Sequence, residues 1–503
     1  MKAAFKLASL LITLFPLVLS SCNNAPSGGE TGEDKYINIS AINDFHGAIF
    51  ENGNEMGLAK IGTYLKNQSD KENTLVLSQG DDWQGSIYSN HNRGKLINDV
   101  YAYAKMDART IGNHDFDWGV NALIDNTKSG FDDYVTPVLA ANVYDYNFTV
   151  KQAGTTQQKD IGQKSIVKTL ENGLKVGVVG VIGEDQITSI TSSYTRDICF
   201  INHIDVIKQE ATNLRKQGCD VVIAAVHSGQ KSVLGKDLKK YVDLVLCGHT
   251  HQYESTVEGE LYYAQFGSYG QYIGDITLTY NTGKKKVTKT SIEVVDQYSI
   301  DEKVTEIDPT ISALIQQYKN ECELEASEEL GYGVGYFDAK EVAPNMMAKA
   351  VYERAVAEGY DDIILSYVNQ ARSYIPYGTI TYASIYEAFP FDNEICIVEV
   401  SGSDVLYECR NYNNVYFNPT FNKQISRSKK YKIAVIDYLV YHVNTSRYYD
   451  YFSSFDDNVI ATLSANYRII LRDWFRNSVS KTHYASDYSS DLDCFYRRSL
   501  TEI

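Results

Sequence analysis

From Tyr36 to about Asp296, short apolar runs alternate with amphipathic stretches. Ile37–Ala41, Thr74–Ser78, Ala108–Ile111, Val176–Ile182, Val221–Val226 and Leu244–Cys247 have the length and residue types of strands. Leu58–Lys66, Leu96–Lys105 and Asp205–Gln217, lying between them, read as helices. This alternation predicts an α/β domain whose functional loops leave the carboxyl ends of strands, converging on one edge of a sheet. Near residue 300 the pattern changes. Asp308-Pro309 is a helix start, and Ile311, Leu314, Ile315 and Tyr318 recur at helical spacing. One helix over Pro309–Ser327 is therefore predicted to lead into a second domain, which mixes a helix (Asn345–Glu358) with strands such as Ile363–Tyr367 and Ile395–Val400. From Lys481 onward the chain is polar and rich in Ser and Asp, and is expected to fray. The expected divisions are a targeting segment (1–22), a tether (23–34), a first domain (35–300), a linker helix (301–330), a second domain (331–480) and a polar tail (481–503).

Composition changes this picture in three places. A length of 503 residues exceeds what one core serves, in keeping with two domains. A net charge of −17 argues against a nucleic-acid scaffold, which needs Lys and Arg clusters to hold the phosphate backbone. An acidic protein still binds small phosphorylated ligands when metal ions supply the local positive charge. At the N-terminus, Lys2 and Lys6 precede an apolar stretch, Leu7–Leu19, too short to span a membrane and suited to a signal peptide. Its end, Leu19-Ser20-Ser21-Cys22, resembles the bacterial lipoprotein cleavage box, which would make Cys22 the lipidated first residue. An ordinary cleaved signal with a chance cysteine is the alternative. With the Gly- and Ser-rich tether that follows, the expectation is a protein held by lipid outside the cytoplasmic membrane. The other seven cysteines form no Cys-x-x-Cys pair, which argues against a zinc–thiolate site, and their odd count does not suggest a disulfide framework, although one or two bridges stay open. Cys247 reads as a small buried strand residue.

The chemistry is concentrated in five motifs, each at or just past a strand-like run. They are Asp44-Phe45-His46, Gly80-Asp81, Gly112-Asn113-His114-Asp115, Val226-His227-Ser228 and Gly248-His249-Thr250-His251. Carboxylate, amide oxygen and neutral imidazole are the donors that divalent metals of hard and borderline character prefer, and two adjacent ions need about six or seven of them. Any one of these residues alone reads as a polar side chain ending a strand. The ordered set reads as a dinuclear metallohydrolase site.

These motifs resemble those of the calcineurin-type metallophosphoesterases and, specifically, the secreted bacterial 5′-nucleotidase family, over roughly residues 36–470. The resemblance implies a β-sandwich flanked by helices followed by a smaller α/β (α+β) 5′-nucleotidase C-terminal domain. It also implies one metal on Asp44, His46 and His251, a second on Asn113, His227 and His249, and Asp81 bridging the two. His114, oriented by Asp117, would stabilise the phosphoryl group; Asp82 and Asp115 fall on no ligand position and read as supporting or surface groups. In the second domain, Arg372 and Phe391 match the family's phosphate-binding arginine and base-stacking phenylalanine. The chain departs from the family there. Gln370-Ala371 replaces a Gly-Gly pair, a Gly-Gly-Asp-Gly-aromatic loop has no match, and only Lys340 lies near the place of a second phosphate-contacting arginine. Tyr448 or Tyr449 is a candidate second stacking ring. The implied function is hydrolysis of nucleoside 5′-monophosphates with two divalent ions, zinc, manganese or similar, the His-rich set favouring transition metals over magnesium. Alternatives are a 2′,3′-cyclic-nucleotide phosphodiesterase with 3′-nucleotidase activity, a nucleotide-sugar pyrophosphatase, or a surface binding lipoprotein without turnover. The expected partners are a nucleotide or other phosphate ester and, through the lipid, a membrane. No nucleic-acid polymer or protein partner is expected.

Overall fold

A computed structural model describes residues 32–147, 152–158, 161–195, 198–411, 414–440 and 458–503. Two six-stranded sheets dominate the first half. One runs Lys286–Val295, Ile273–Asn281, Asp34–Ile42, Thr74–Ser78, Ala108–Thr110, Val138–Leu139; the other runs Tyr253–Glu258, Leu261–Phe266, Leu244–Cys247, Val221–His227, Lys175–Ile182, Ser165–Thr169. Four strands of each sheet pair in parallel, with antiparallel strands added on one side of the first sheet and on both sides of the second. Alternation decides how the sheets face each other. Ile37, Ile39, Leu75 and Leu77 meet Val176, Val178, Ile223 and Leu246 in one core between the sheets. The intervening residues face outward and are covered too. Ile42 and Val76 pack under the helices Gly57–Ser69 and Lys95–Tyr103, while Val179, Val222 and Val245 pack under His203–Lys216. Strands covered on both faces carry continuous apolar runs, as Val221–Val226 does.

The helix Pro309–Ala326 starts at Asp308, whose side chain accepts from the Thr310 and Ile311 amides. It is more than a linker. Ile311, Leu314, Ile315 and Tyr318 join the cluster of Ile42 and Val76 on the outer face of the first sheet, and only the helix end, Ala326, enters a second core. That second core surrounds a five-stranded sheet in the order Asn414–Phe417, Leu365–Val368, Lys430–Ile436, Ile395–Ser401, Val459–Thr462, packed against the helices Val342–Ala357 and Tyr467–Asn477.

The expectation of a frayed tail is corrected. Thr482–Tyr484 pairs in parallel with the strand Glu329–Val334, and Tyr488, Phe495 and Leu500 are buried in the second core. Three apolar anchors spaced among many Ser and Asp residues suffice to dock a segment whose composition alone reads as solvated. All seven cysteines of the described residues are free. Among those residues no helix is long and apolar enough to cross a membrane. Cys22, Tyr448 and Tyr449 lie outside the described residues.

One buried carboxyl gives a stability test. Glu408 is 1% exposed, and its nearest described side-chain partner is the Tyr367 hydroxyl at 3.4 Å. Burial pushes it up from 4.5 to about 8. The native state therefore binds a proton that the unfolded chain releases, so stability is lost as pH rises from about 4.5 through about 8. Glu408→Gln should raise the melting temperature at pH 8, and the gain should vanish on approaching pH 4.5 in thermal melts across that range.

Candidate metal centre

The site lies between the carboxyl ends of both sheets rather than on one sheet edge, which corrects the simpler expectation. Asp44, Asp81 and Asn113 follow strands of the first sheet; His227 ends a strand of the second, and His249 and His251 follow its neighbour. The sandwich brings the two sets together. Asn43 fastens them, its amide nitrogen donating to Asp44 Oδ2 and to the Gly267 carbonyl (2.7 Å each), while its oxygen accepts from the Phe266 amide. Across the same seam, the His249 amide donates to Asp44 Oδ1 and Oδ2 at 3.0 and 2.8 Å.

Backbone conformation marks the site independently. Of the thirteen non-glycine residues with positive φ among those described, five are Asp44, His46, Asp81, His249 and His251. Each such residue costs about 1–3 kcal/mol and persists where its surroundings over-determine it. The turns aim the side chains inward at one point.

The donor atoms form two clusters, Asp44 with His46 and His251, and Asp81 with His227 and His249. His46 Nε2 and His251 Nε2 stand 3.0 Å apart, and His251 Nε2 lies 3.6 Å from Asp44 Oδ1. His227 Nε2 is 3.2 Å from Asp81 Oδ2 and 3.1 Å from Asn113 Oδ1, which also lies 2.9 Å from His249 Nδ1. Asp81 Oδ2 reaches toward the first cluster as well, 3.9 Å from His46 Nε2. Backbone carbonyls orient two of the rings, Gln84 bonding His46 Nδ1 and Gln79 bonding His227 Nδ1, so each turns Nε2 into the site. This set fits two divalent ions. Two nitrogens on one tetrahedral zinc stand roughly 3.3 Å apart, close to the separation of the His46–His251 pair.

Electrostatics agree with that reading. Burial holds His46 well below its ordinary value, with His251 adding to the effect. Burial likewise takes His249 down to about 3 and His251 down to about 4, aided by His227 and Arg372 respectively. All three thus present neutral imidazole, the metal-binding form. Burial pushes Asp44 up to about 7. At Asp81 burial also favours the acid, but His227 opposes it by charge and hydrogen bond, and the carboxyl is held well below its usual range. His227 is raised to about 10 because the Asp81 charge overcomes burial, so a cation entering there displaces a proton.

His114 stands beside the clusters. Its Nδ1 meets Asp117 Oδ2 at 2.8 Å and its Nε2 meets Arg372 Nη2 at 2.5 Å. A guanidinium only donates, so Nε2 accepts here and Nδ1–H donates to Asp117. Phe391 stacks on the same imidazole, ring centroids 5.2 Å apart and 20° from parallel, and Arg372 lies over Phe391 at 5.2 Å. Both residues of the second domain therefore reach the centre. They border a cavity of about 440 Å³ that Tyr194, Asn393, Asp437 and Tyr438 also line. Lys340 is elsewhere, lining another cavity with Arg497 and Arg498. The surface reading of Asp82 and Asp115 is corrected, since both are buried on Arg109, which the motifs did not reveal. Its signal was present: a cation in a strand expected to be buried, beside two acids without a role, must be paired.

Residues 37–253 match the calcineurin-like phosphoesterases and residues 337–408 match the 5′-nucleotidase C-terminal domain. These matches give the chain a calcineurin-like phosphoesterase region followed by a 5′-nucleotidase C-terminal region. Members of this phosphoesterase family use two divalent metals, in keeping with the two clusters. Endonuclease YhcR of Bacillus subtilis (strain 168) is 24% identical over 462 residues, 82% of this chain and 36% of that protein. This chain thus spans about a third of the length of that curated relative. The 5′-nucleotidase of Bos taurus is 24% identical over 387 residues, 69% of this chain and 64% of the relative. The crystal structure of a 5′-nucleotidase precursor from Thermus thermophilus shares the fold with a TM-score of 0.71 at 16% identity, over 90% of this chain and 99% of that one.

Glycine in the phosphoesterase motif gives a direct test. A Cβ on Gly112 would lie 2.0 Å from Asp81 Oδ1. Gly112→Ala should leave the protein folded by circular dichroism while weakening Mn²⁺ binding at least tenfold by calorimetry.

Proposed function

We propose that the chain is a dinuclear-metal phosphohydrolase that converts nucleoside 5′-monophosphates to nucleoside and phosphate. The observation that carries this reading is the meeting of two domains on His114, with the metal-ligand set on one side and Arg372 and Phe391 on the other. Asp44, His46 and His251 would hold one ion, Asn113, His227 and His249 the other, and Asp81 both. Two divalent ions bound there supply a water nucleophile at neutral pH and offset phosphoryl charge.

The chain's own residues do the rest. Arg372 offers its planar fork to phosphate oxygens. A phosphoryl group entering between Arg372 and His114 would replace their mutual bond with one bond to each. Protonated at Nε2, His114 would donate to an equatorial or leaving oxygen, with Asp117 holding Nδ1–H and stabilising the imidazolium. Phe391 offers a flat apolar face to a nucleobase, with Tyr194 and Tyr438 on the same cavity.

A second reading draws support from a further cavity of about 410 Å³ on Arg372, lined also by His46, Tyr269 and Tyr374. Room there favours a substrate with a group beyond its phosphate, as in a nucleotide sugar. Phosphate release from AMP, 3′-AMP, 2′,3′-cyclic AMP with added phosphatase, UDP-glucose and p-nitrophenyl phosphate, with Mn²⁺ or Zn²⁺, separates these readings. AMP should be preferred at least tenfold in kcat/KM over the generic ester. Asp81→Asn should abolish all turnover. Phe391→Ala should raise KM for AMP about tenfold, or ~1.4 kcal/mol, and leave the generic ester unchanged. Equal rates on AMP and the generic ester would reject nucleotide recognition, and no metal-dependent release would reject the enzyme.

We also propose that Cys22 carries lipid and anchors the protein outside the cytoplasmic membrane of a bacterial cell. Cys22→Ala should move the protein from the membrane fraction to the soluble fraction; continued sedimentation with membranes would overturn the anchor.

A further inference from the structure

We propose that Arg109 is a positioning residue for the dinuclear centre, its guanidinium fork setting the spacing between the loop that carries Asp81 and the loop that carries Asn113 and His114. The inference rests on reading those residues as a two-ion site. Arg109 sits in the strand Ala108–Thr110 and is 1% exposed. Its Nε donates to Asp82 Oδ2 at 3.1 Å, and its Nη2 donates to Asp115 Oδ1 and Oδ2 at 2.9 Å each. Asp82 directly follows Asp81, and Asp115 comes two residues after Asn113. One rigid group therefore grips both loops beside their ligands.

A further contact of the group serves the same arrangement. The guanidinium lies over the ring of Trp83, 3.8 Å from its centroid, in the first loop. Asp82 is fixed further by the Ser78 hydroxyl, at 2.8 and 2.9 Å from its two oxygens, and by the Tyr101 hydroxyl at 3.1 Å. In the second loop Asp115 accepts from the Gly112 amide at 2.8 Å. The loops also join directly, the His114 amide donating to Asp81 Oδ1 at 2.9 Å. That last bond needs the two turns in register. The left-handed backbone of Asp81 needs them held there. A lysine would supply the charge without the fork, so it could not set both distances at once.

A residue that only offset buried charge would behave differently, because removing Arg109 together with one of its two carboxylates keeps the net charge and would then leave the centre intact. Two variants of the full chain separate the roles, Arg109→Lys and the charge-conserving double Arg109→Met, Asp115→Asn, in which Asp82 keeps the Ser78 and Tyr101 hydroxyls. Each is checked for folding by circular dichroism, then titrated with Mn²⁺ by calorimetry and assayed on p-nitrophenyl phosphate. Positioning predicts Mn²⁺ binding at least tenfold weaker than wild type in whichever variant folds, with kcat lowered tenfold or more and KM within twofold at saturating metal. Wild-type Mn²⁺ affinity and kcat in either folded variant would overturn the proposal. Collapse of both folds would overturn it too, assigning Arg109 to stability. A wild type that binds no pair of ions would instead reject the two-ion reading on which the inference rests.

Discussion

The seam between two sheets is the constraint on which the rest depends. Strands of the first sheet deliver Asp44, Asp81 and Asn113, and strands of the second deliver His227, His249 and His251. Neither set alone completes a cluster. Asp44 needs His251 from across the seam, and Asp81 needs His227 and His249. The apolar core between the sheets is thus what holds the donors within bonding range of shared ions. The left-handed turns at Asp44, His46, Asp81, His249 and His251 store local strain that the packing must hold in place.

Charge explains how so acidic a chain can serve anions. Asp44, Asp81, Asp82, Asp115 and Asp117 gather within two short loops and their neighbour, against two arginines, Arg109 beneath and Arg372 above. The imbalance is local and buried, which favours divalent cations in the same space. Arg372 comes from the other domain, so the positive charge facing a phosphate is divided between bound ions and a group that arrives only when the domains meet.

Much of this was legible in the sequence because it follows from local rules. Strands such as Thr74–Ser78 and Leu244–Cys247 and the Asp308-capped helix follow from periodicity and capping, and the motifs announced themselves by donor type at strand ends. What escaped depends on long-range pairing. The division of ligands between two sheets is a matter of sheet order, which spacing does not encode. That Arg109 must be paired could be read from its strand, but which acids pair it, 6 and 27 positions away, depends on how the loops fold. The tail misled because its few anchors, Tyr488, Phe495 and Leu500, are diluted by polar residues.

That tail also orders events during synthesis. Apart from Ala326 at its end, the helix Pro309–Ala326 completes the packing of the first half, so the sandwich can close while the ribosome is still making the second. The second half cannot. Its strand Glu329–Val334 pairs with Gly378–Thr381 on one side but waits on the other for Thr482–Tyr484, some 150 residues later, and its core waits for Phe495 and Leu500. The metal-binding half is thus assembled ahead of the half that would bring substrate to it, and a truncated chain would carry the reactive centre without its partner.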